Sequence, residues 1–191
     1  NDIVWNEGYA SSNGFTSANG AVYQWTPLEK FCGTFDGQGH SVSGLYMTGN
    51  GGVGFCKVAE NAVFRNLEIL NSYCTVTGGG WYSGTLAADV RGTKVTFENI
   101  HVEAYMINPE KNDRNVGTAC VGGIAGTISA KEASFKSCSF TGQIVADSMA
   151  GGILGTNRVN KVIMEDCVGY GFIATSGSET GALIGRCSGD A

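Results

Sequence analysis

Proline is nearly missing from this chain, with 2 in 191 residues, and charged residues are 15%, against about 25% in an average soluble protein. Disordered segments are rich in both, so this is a chain that folds. No apolar run approaches the roughly 20 residues of a membrane-spanning helix, which argues against membrane insertion. No two cationic residues are adjacent. A nucleic-acid binder carries a basic stripe, so that partner is not expected. The formal net charge of −5 is mild and serves solubility. Seven cysteines, at 32, 56, 74, 120, 138, 167 and 187, form neither a CxxC pair nor a Cys/His cluster, so no zinc site and no other cofactor is implied. Their odd number rules out complete internal pairing, and the plain reading is a set of buried thiols. The chain opens Asn1-Asp2-Ile3 without Met, which suggests that a segment upstream was removed.

What is abundant is glycine, 30 residues, mixed with Val, Ile, Phe, Thr and Ser. That mixture describes short strands joined by tight turns. It is also periodic. A small apolar cluster recurs at Gly52-Val53-Gly54-Phe55, Gly84-Thr85-Leu86-Ala87, Gly123-Ile124-Ala125-Gly126, Gly152-Ile153-Leu154-Gly155 and Ala182-Leu183-Ile184-Gly185. A second block follows each of the first four at 12 or 13 residues: Phe64-Arg65-Asn66-Leu67, Phe97-Glu98-Asn99-Ile100, Phe135-Lys136-Ser137-Cys138 and Met164-Glu165-Asp166-Cys167. A period near 30 residues with no three-turn helical stripe identifies an all-β fold, a parallel β-helix spanning residues 1–191 as one domain.

In stacked coils, Phe64, Phe97, Phe135 and Met164 form one internal column, with neighbours about 4.8 Å apart. Leu67, Ile100, Cys138 and Cys167 form another. The small polar residues between them (Asn66, Asn99, Ser137 and Asp166) sit at a bend, where they satisfy backbone groups that leave the ladder. The glycine clusters mark tight turns where backbones approach closely.

The stretch Trp25-Thr26-Pro27-Leu28 through Phe31-Cys32-Gly33-Thr34-Phe35-Asp36-Gly37-Gln38-Gly39-His40, ending at Gly44-Leu45, resembles the opening segment of GLUG-motif β-helix proteins. The clusters at 123–126, 152–155 and 182–185 resemble the GLUG element itself, and Asn1-Asp2-Ile3 resembles the strand that precedes the opening segment. Gln38 replaces the usual Asn, and the second glycine of a cluster is lost in Thr85-Leu86-Ala87-Ala88. The resemblance implies right-handed coiling, an extracellular or cell-surface bacterial setting, and motif residues that are structural rather than catalytic. It also implies that this chain is a segment of a longer surface polypeptide, because solenoid ends need covering.

Candidate chemistry is sparse. Asp36, Gly37, Gly39 and His40 form the most pattern-like polar group, but Asp-Gly and Gln-Gly are turn pairs, so we assign them to a structural turn held partly by His40. Glycosidases need two facing carboxylates. On equivalent exposed positions the repeat offers Arg65, Glu98, Lys136 and Glu165, whose alternating signs suit a ladder of weak ion pairs. Asp89, Asp113 and Asp147 are too scattered for a calcium site. Two insertions are expected to project as loops, Gly78-Gly79-Gly80-Trp81-Tyr82 and the charged stretch from Glu103 to Asn115. Trp81, Tyr82 and Tyr105 are the candidate ligand-binding residues, suited to stacking on a sugar or anchoring a host surface protein. The expected function is therefore a non-catalytic adhesive, ligand-binding or stalk module with a glycan or protein partner. The alternative is a carbohydrate-active enzyme, lyase or glycosidase, or its accessory domain.

Overall fold

A computed structural model describes residues 1–77, 82–108, 120–158, 161–177 and 179–188. The fold is a β-solenoid of about 5 turns, 72% strand and, among the described residues, without helix. None of those residues forms a helix long and apolar enough to cross a membrane.

Coils four and five show the plan most clearly. Coil four runs through Ala125–Ile128, Glu132–Lys136, Ser139–Ala146 and Met149–Gly151, and coil five through Leu154–Asn157, Lys161–Glu165, Val168–Thr175 and Glu179–Gly181. Coil three comprises Ala87–Arg91, Lys94–Asn108 and Cys120–Gly122; in coil two the long strand Cys56–Val76 precedes Tyr82–Gly84. The first coil is Leu28–Ser43 with Tyr46–Gly49, and Ile184–Cys187 pairs beyond the fifth. Every pairing between coils is parallel. The alternation of apolar and polar residues places one set of side chains inside each coil, and stacking covers that set from above and below.

Phe64, Phe97, Phe135 and Met164 fall in one register column. The three phenylalanines have no exposed surface, and their rings stack at 5.6 and 4.7 Å with interplanar angles of 6° and 9°. Leu67, Ile100 and Cys138 are buried beside them. Between the two columns the chain bends through the left-handed region, with φ of 54° at Asn66, 53° at Asn99, 51° at Ser137 and 51° at Asp166. Asn and Asp tolerate that region because their short polar side chains bond locally, and here the bonds climb the stack. Asn99 Nδ2 donates to Asn66 Oδ1 at 3.2 Å, and Asn66 Nδ2 donates to Asp36 Oδ1 at 3.0 Å.

Asp36-Gly37-Gln38-Gly39-His40 is a widened version of the same corner. Register slips between Asp36 and His40, so three residues face the single Asn66 of the next coil. Asp36 Oδ1 also accepts from the Gln38 amide at 2.9 Å, and Oδ2 accepts from Arg65 Nε at 2.9 Å. Gly37 is required by contact, because a Cβ there would strike the Asn66 carbonyl. His40 turns away from the bend, its Nδ1 lying 3.5 Å from Asp2 of the preceding segment.

Ile3–Val4 pairs in parallel with Val42–Ser43. One element outside the repeat is antiparallel, the hairpin Gly8–Ser11 with Gly14–Ser17. Asn71 fastens it, accepting from the Ala10 amide at 2.7 Å and donating to the Gly8 carbonyl at 2.9 Å.

Candidate ligand-binding groove

The fourth strand of one coil and the first strand of the next meet at the glycine cluster, where the chain folds back sharply. A Cβ on Gly155 would lie 2.5 Å from the Gly126 carbonyl oxygen and 2.8 Å from the Val121 amide. Two backbones thus pack without side chains between them, and a re-entrant corner runs along the solenoid. In coil three Ala88 replaces the glycine; its methyl is accommodated because Gly52, whose own Cβ would sit 3.1 Å away, has none.

The columns flanking this corner are Tyr82, Cys120, Met149 and Glu179 on one wall and Asp89, Thr127, Thr156 and Arg186 on the other. Between them lies a groove of about 290 Å³ lined by Cys120, Met149, Thr156, Arg158, Arg186 and Ser188. Its volume is close to the lower end for small-molecule sites, about 300 Å³. Among the described residues the lining is two guanidiniums, two hydroxyls and two sulfurs, with no carboxylate.

Arg186 Nε is 3.6 Å from Glu179 Oε1, and both side chains are substantially exposed, so the pair is weak and open to exchange. Arg158 lies 5.0 Å over the Tyr82 ring, a cation–π contact that orients the guanidinium while leaving its charge intact. Among the described residues no carboxylate pairs with Arg158. Burial raises the Tyr82 phenol, with Arg158 acting in the opposite direction. Burial also pushes the Cys120 thiol up to about 12, so it is a neutral group at pH 7 rather than a nucleophile. Its Sγ is 3.8 Å from Met149 Sδ, which makes this wall soft and apolar. Thr127, beside Thr156 in register, has a buried hydroxyl with no hydrogen-bond partner, a group that water or a ligand would satisfy.

Of the three candidate ligand residues, Tyr82 stands beside this groove under Arg158. Trp81 lies outside the described residues. Tyr105 belongs to a different face, in register with Tyr73 and Gln143 on the third strands, where Tyr46 and Tyr73 stack at 5.8 Å. Residues 103–108, read above as part of a projecting loop, are instead strand, completing Lys94–Asn108; residues 109–115 lie outside the described set. The cause is the pairing of this stretch with Ser139–Ala146 over its full length.

Arg65, Glu98, Lys136 and Glu165 stack in one register column as expected, but the short ion pairs form elsewhere. Arg65 pairs with Asp36 at 2.9 Å, but the extended ladder is Lys94–Glu132–Lys161, at 2.8 and 3.3 Å. Asp89 is taken up by Arg91 and Ser129, and Asp147 by Ser176. Arg158 and Arg186 were not singled out from the sequence. The signal was present: four residues past the starts of the last three clusters stand Thr127, Thr156 and Arg186, a third aligned position of the repeat. No family model, curated protein or solved structure matches this chain.

Proposed function

We propose that this solenoid is a non-catalytic binding module of a secreted or cell-surface bacterial protein of the GLUG β-helix kind, and that its groove holds an acidic glycan. One observation carries the reading: Arg158 and Arg186 face a shared groove whose described lining residues include no carboxylate, Glu179 standing at its flank. A guanidinium recognises carboxylate or sulfate through paired hydrogen bonds, and Tyr82 beside Arg158 offers a face for a sugar ring. The neutral Cys120 thiol and the lack of paired carboxylates among the described lining residues favour binding over glycoside cleavage. The surface setting is drawn from the resemblance of residues 25–45, which form most of the first coil.

A glycan array tests this directly. Uronate-bearing, sialylated or sulfated glycans should give signal above their neutral counterparts, and Arg158→Ala should lower that binding by about tenfold or more, as expected for a charged hydrogen-bonding partner. Raising salt from about 0.05 to about 0.5 M should weaken it further through screening. Equal signal for acidic and neutral glycans, or none for either, would refute the acidic-glycan assignment.

A further inference from the structure

We propose that Cys138 and Cys167 are a redox-active pair that a low-molecular-weight disulfide, such as oxidised glutathione, converts into a disulfide joining coils four and five. The pair occupies consecutive levels of one column. Ser137 and Asp166, one residue earlier in each coil, bend the chain alike, with φ of 51° at both, and the Val168 amide donates to the Cys138 carbonyl at 2.9 Å. The two thiols adopt the same pose one coil apart. Cys138 Sγ is 3.3 Å from the Lys136 carbonyl and 3.5 Å from that of Phe97; Cys167 Sγ is 3.3 Å from Glu165 and 3.5 Å from Phe135.

Neighbouring parallel strands are about 4.8 Å apart, inside the roughly 4.4–6.8 Å span of Cα atoms that a disulfide bridges. Closing the bridge then takes rotation about the side-chain bonds and an approach of the two Cβ atoms from about 4.8 Å to the roughly 3.5–4.5 Å of a disulfide. Packing alone does not call for sulfur here, because the equivalent residues of coils two and three are Leu67 and Ile100. The other cysteines differ. Cys56 points its thiol at the Leu86 carbonyl, Cys120 lies against Met149, and Cys187 takes a bond from Asn157.

Access sets the order of events. Cys167 is partly exposed and Cys138 is buried. The neighbouring Cys138 side chain lowers the Cys167 thiol to about 7, near the optimum for attack on a disulfide. In the first step the Cys167 thiolate attacks one sulfur of oxidised glutathione; the S–S bond breaks, a mixed disulfide forms and one glutathione thiolate leaves. In the second, Cys138 attacks Cys167 Sγ and passes its proton to the departing glutathione sulfur, so that the second glutathione leaves as a thiol. Two protein thiols lose two electrons and two protons, and one glutathione disulfide becomes two thiols.

The test uses the full chain carrying Cys32→Ser and Cys187→Ser, which removes the two exposed thiols. After incubation with oxidised glutathione, non-reducing peptide mapping should show residues 138 and 167 linked, with the protein lighter by about 2 Da and no added glutathione. The thermal midpoint should rise by on the order of 10 °C and return after reduction. Cys138→Val, which matches the aliphatic character of the rest of the column, should fold and instead stop at a stable glutathione adduct on Cys167. A stable adduct on Cys167 with Cys138 still present, or two free thiols after prolonged exposure, would overturn the proposal.

Discussion

At the scale of single residues, the corner column makes an unusual demand. Four non-glycine residues at equivalent positions hold φ near +50°, and two of them are Asn, the side chain that bears that conformation best. Ser137 has the same backbone without the amide. Ser137→Asn should therefore change stability by less than about 0.5 kcal/mol, whereas Ser137→Val, β-branched in a left-handed bend, should cost about 1–2 kcal/mol. Urea denaturation separates the two, and equal costs would contradict the conformational account. One column inward, Phe135 is wholly buried between Phe97 and Met164. Phe135→Ala should destabilise by about 3–5 kcal/mol by the same measurement; a loss under about 1 kcal/mol would mean the ring does not fill the core.

Between the strands, the fold-back at the glycine clusters is the element that makes the groove. Gly155→Ala would press a methyl against the backbone of both Gly126 and Val121, neither of which is a flexible group. The corner must then open, at a cost of about 1–3 kcal/mol, and binding of an acidic glycan should fall together with the melting temperature. Gly14→Ala is a control for folding outside the groove, since nothing lies within 4 Å of the added carbon and only the local φ of 124° is strained. The elements themselves were largely legible. Phe64, Phe97 and Phe135 recur at fixed distance from the glycine clusters, and in a coil that recurrence dictates stacking. The groove was not, because its walls come from strands on either side of a turn, and Arg158 and Arg186 read as isolated surface charges until Gly151 and Gly155 bring those strands together. The hairpin at 8–17 did not stand out although Ser12-Asn13-Gly14 is a turn signal, because its two strands lie outside the 30-residue period that marks the rest of the chain.

For the molecule as a whole, most ion pairs among the described residues join neighbouring coils, Asp89–Arg91 and Glu179–Arg186 being local. Glu132 ties coil four to Lys94 of coil three and Lys161 of coil five, and those hydrogen bonds hold its carboxyl below the ordinary 4.5. Asp36 is held below 3.8 by Asn66, the Gln38 amide and Arg65. Groups with depressed values stabilise fully above their unfolded values, here above about pH 4.5, and lose that contribution as pH falls through the folded ones. The urea midpoint should therefore decline between about pH 4.5 and 2, and the combined Asp36→Asn and Glu132→Gln variant should show a shallower decline. An identical slope would assign the acid sensitivity elsewhere. The parallel ladders also have a mechanical meaning. Hydrogen bonds between coils point along the long axis, so tension applied between distant coils loads them one layer at a time. Stretched in a force spectrometer, the protein should lengthen in steps of about 100 Å, the contour length of some 30 freed residues, each layer peeling from its neighbour like a turn of rope.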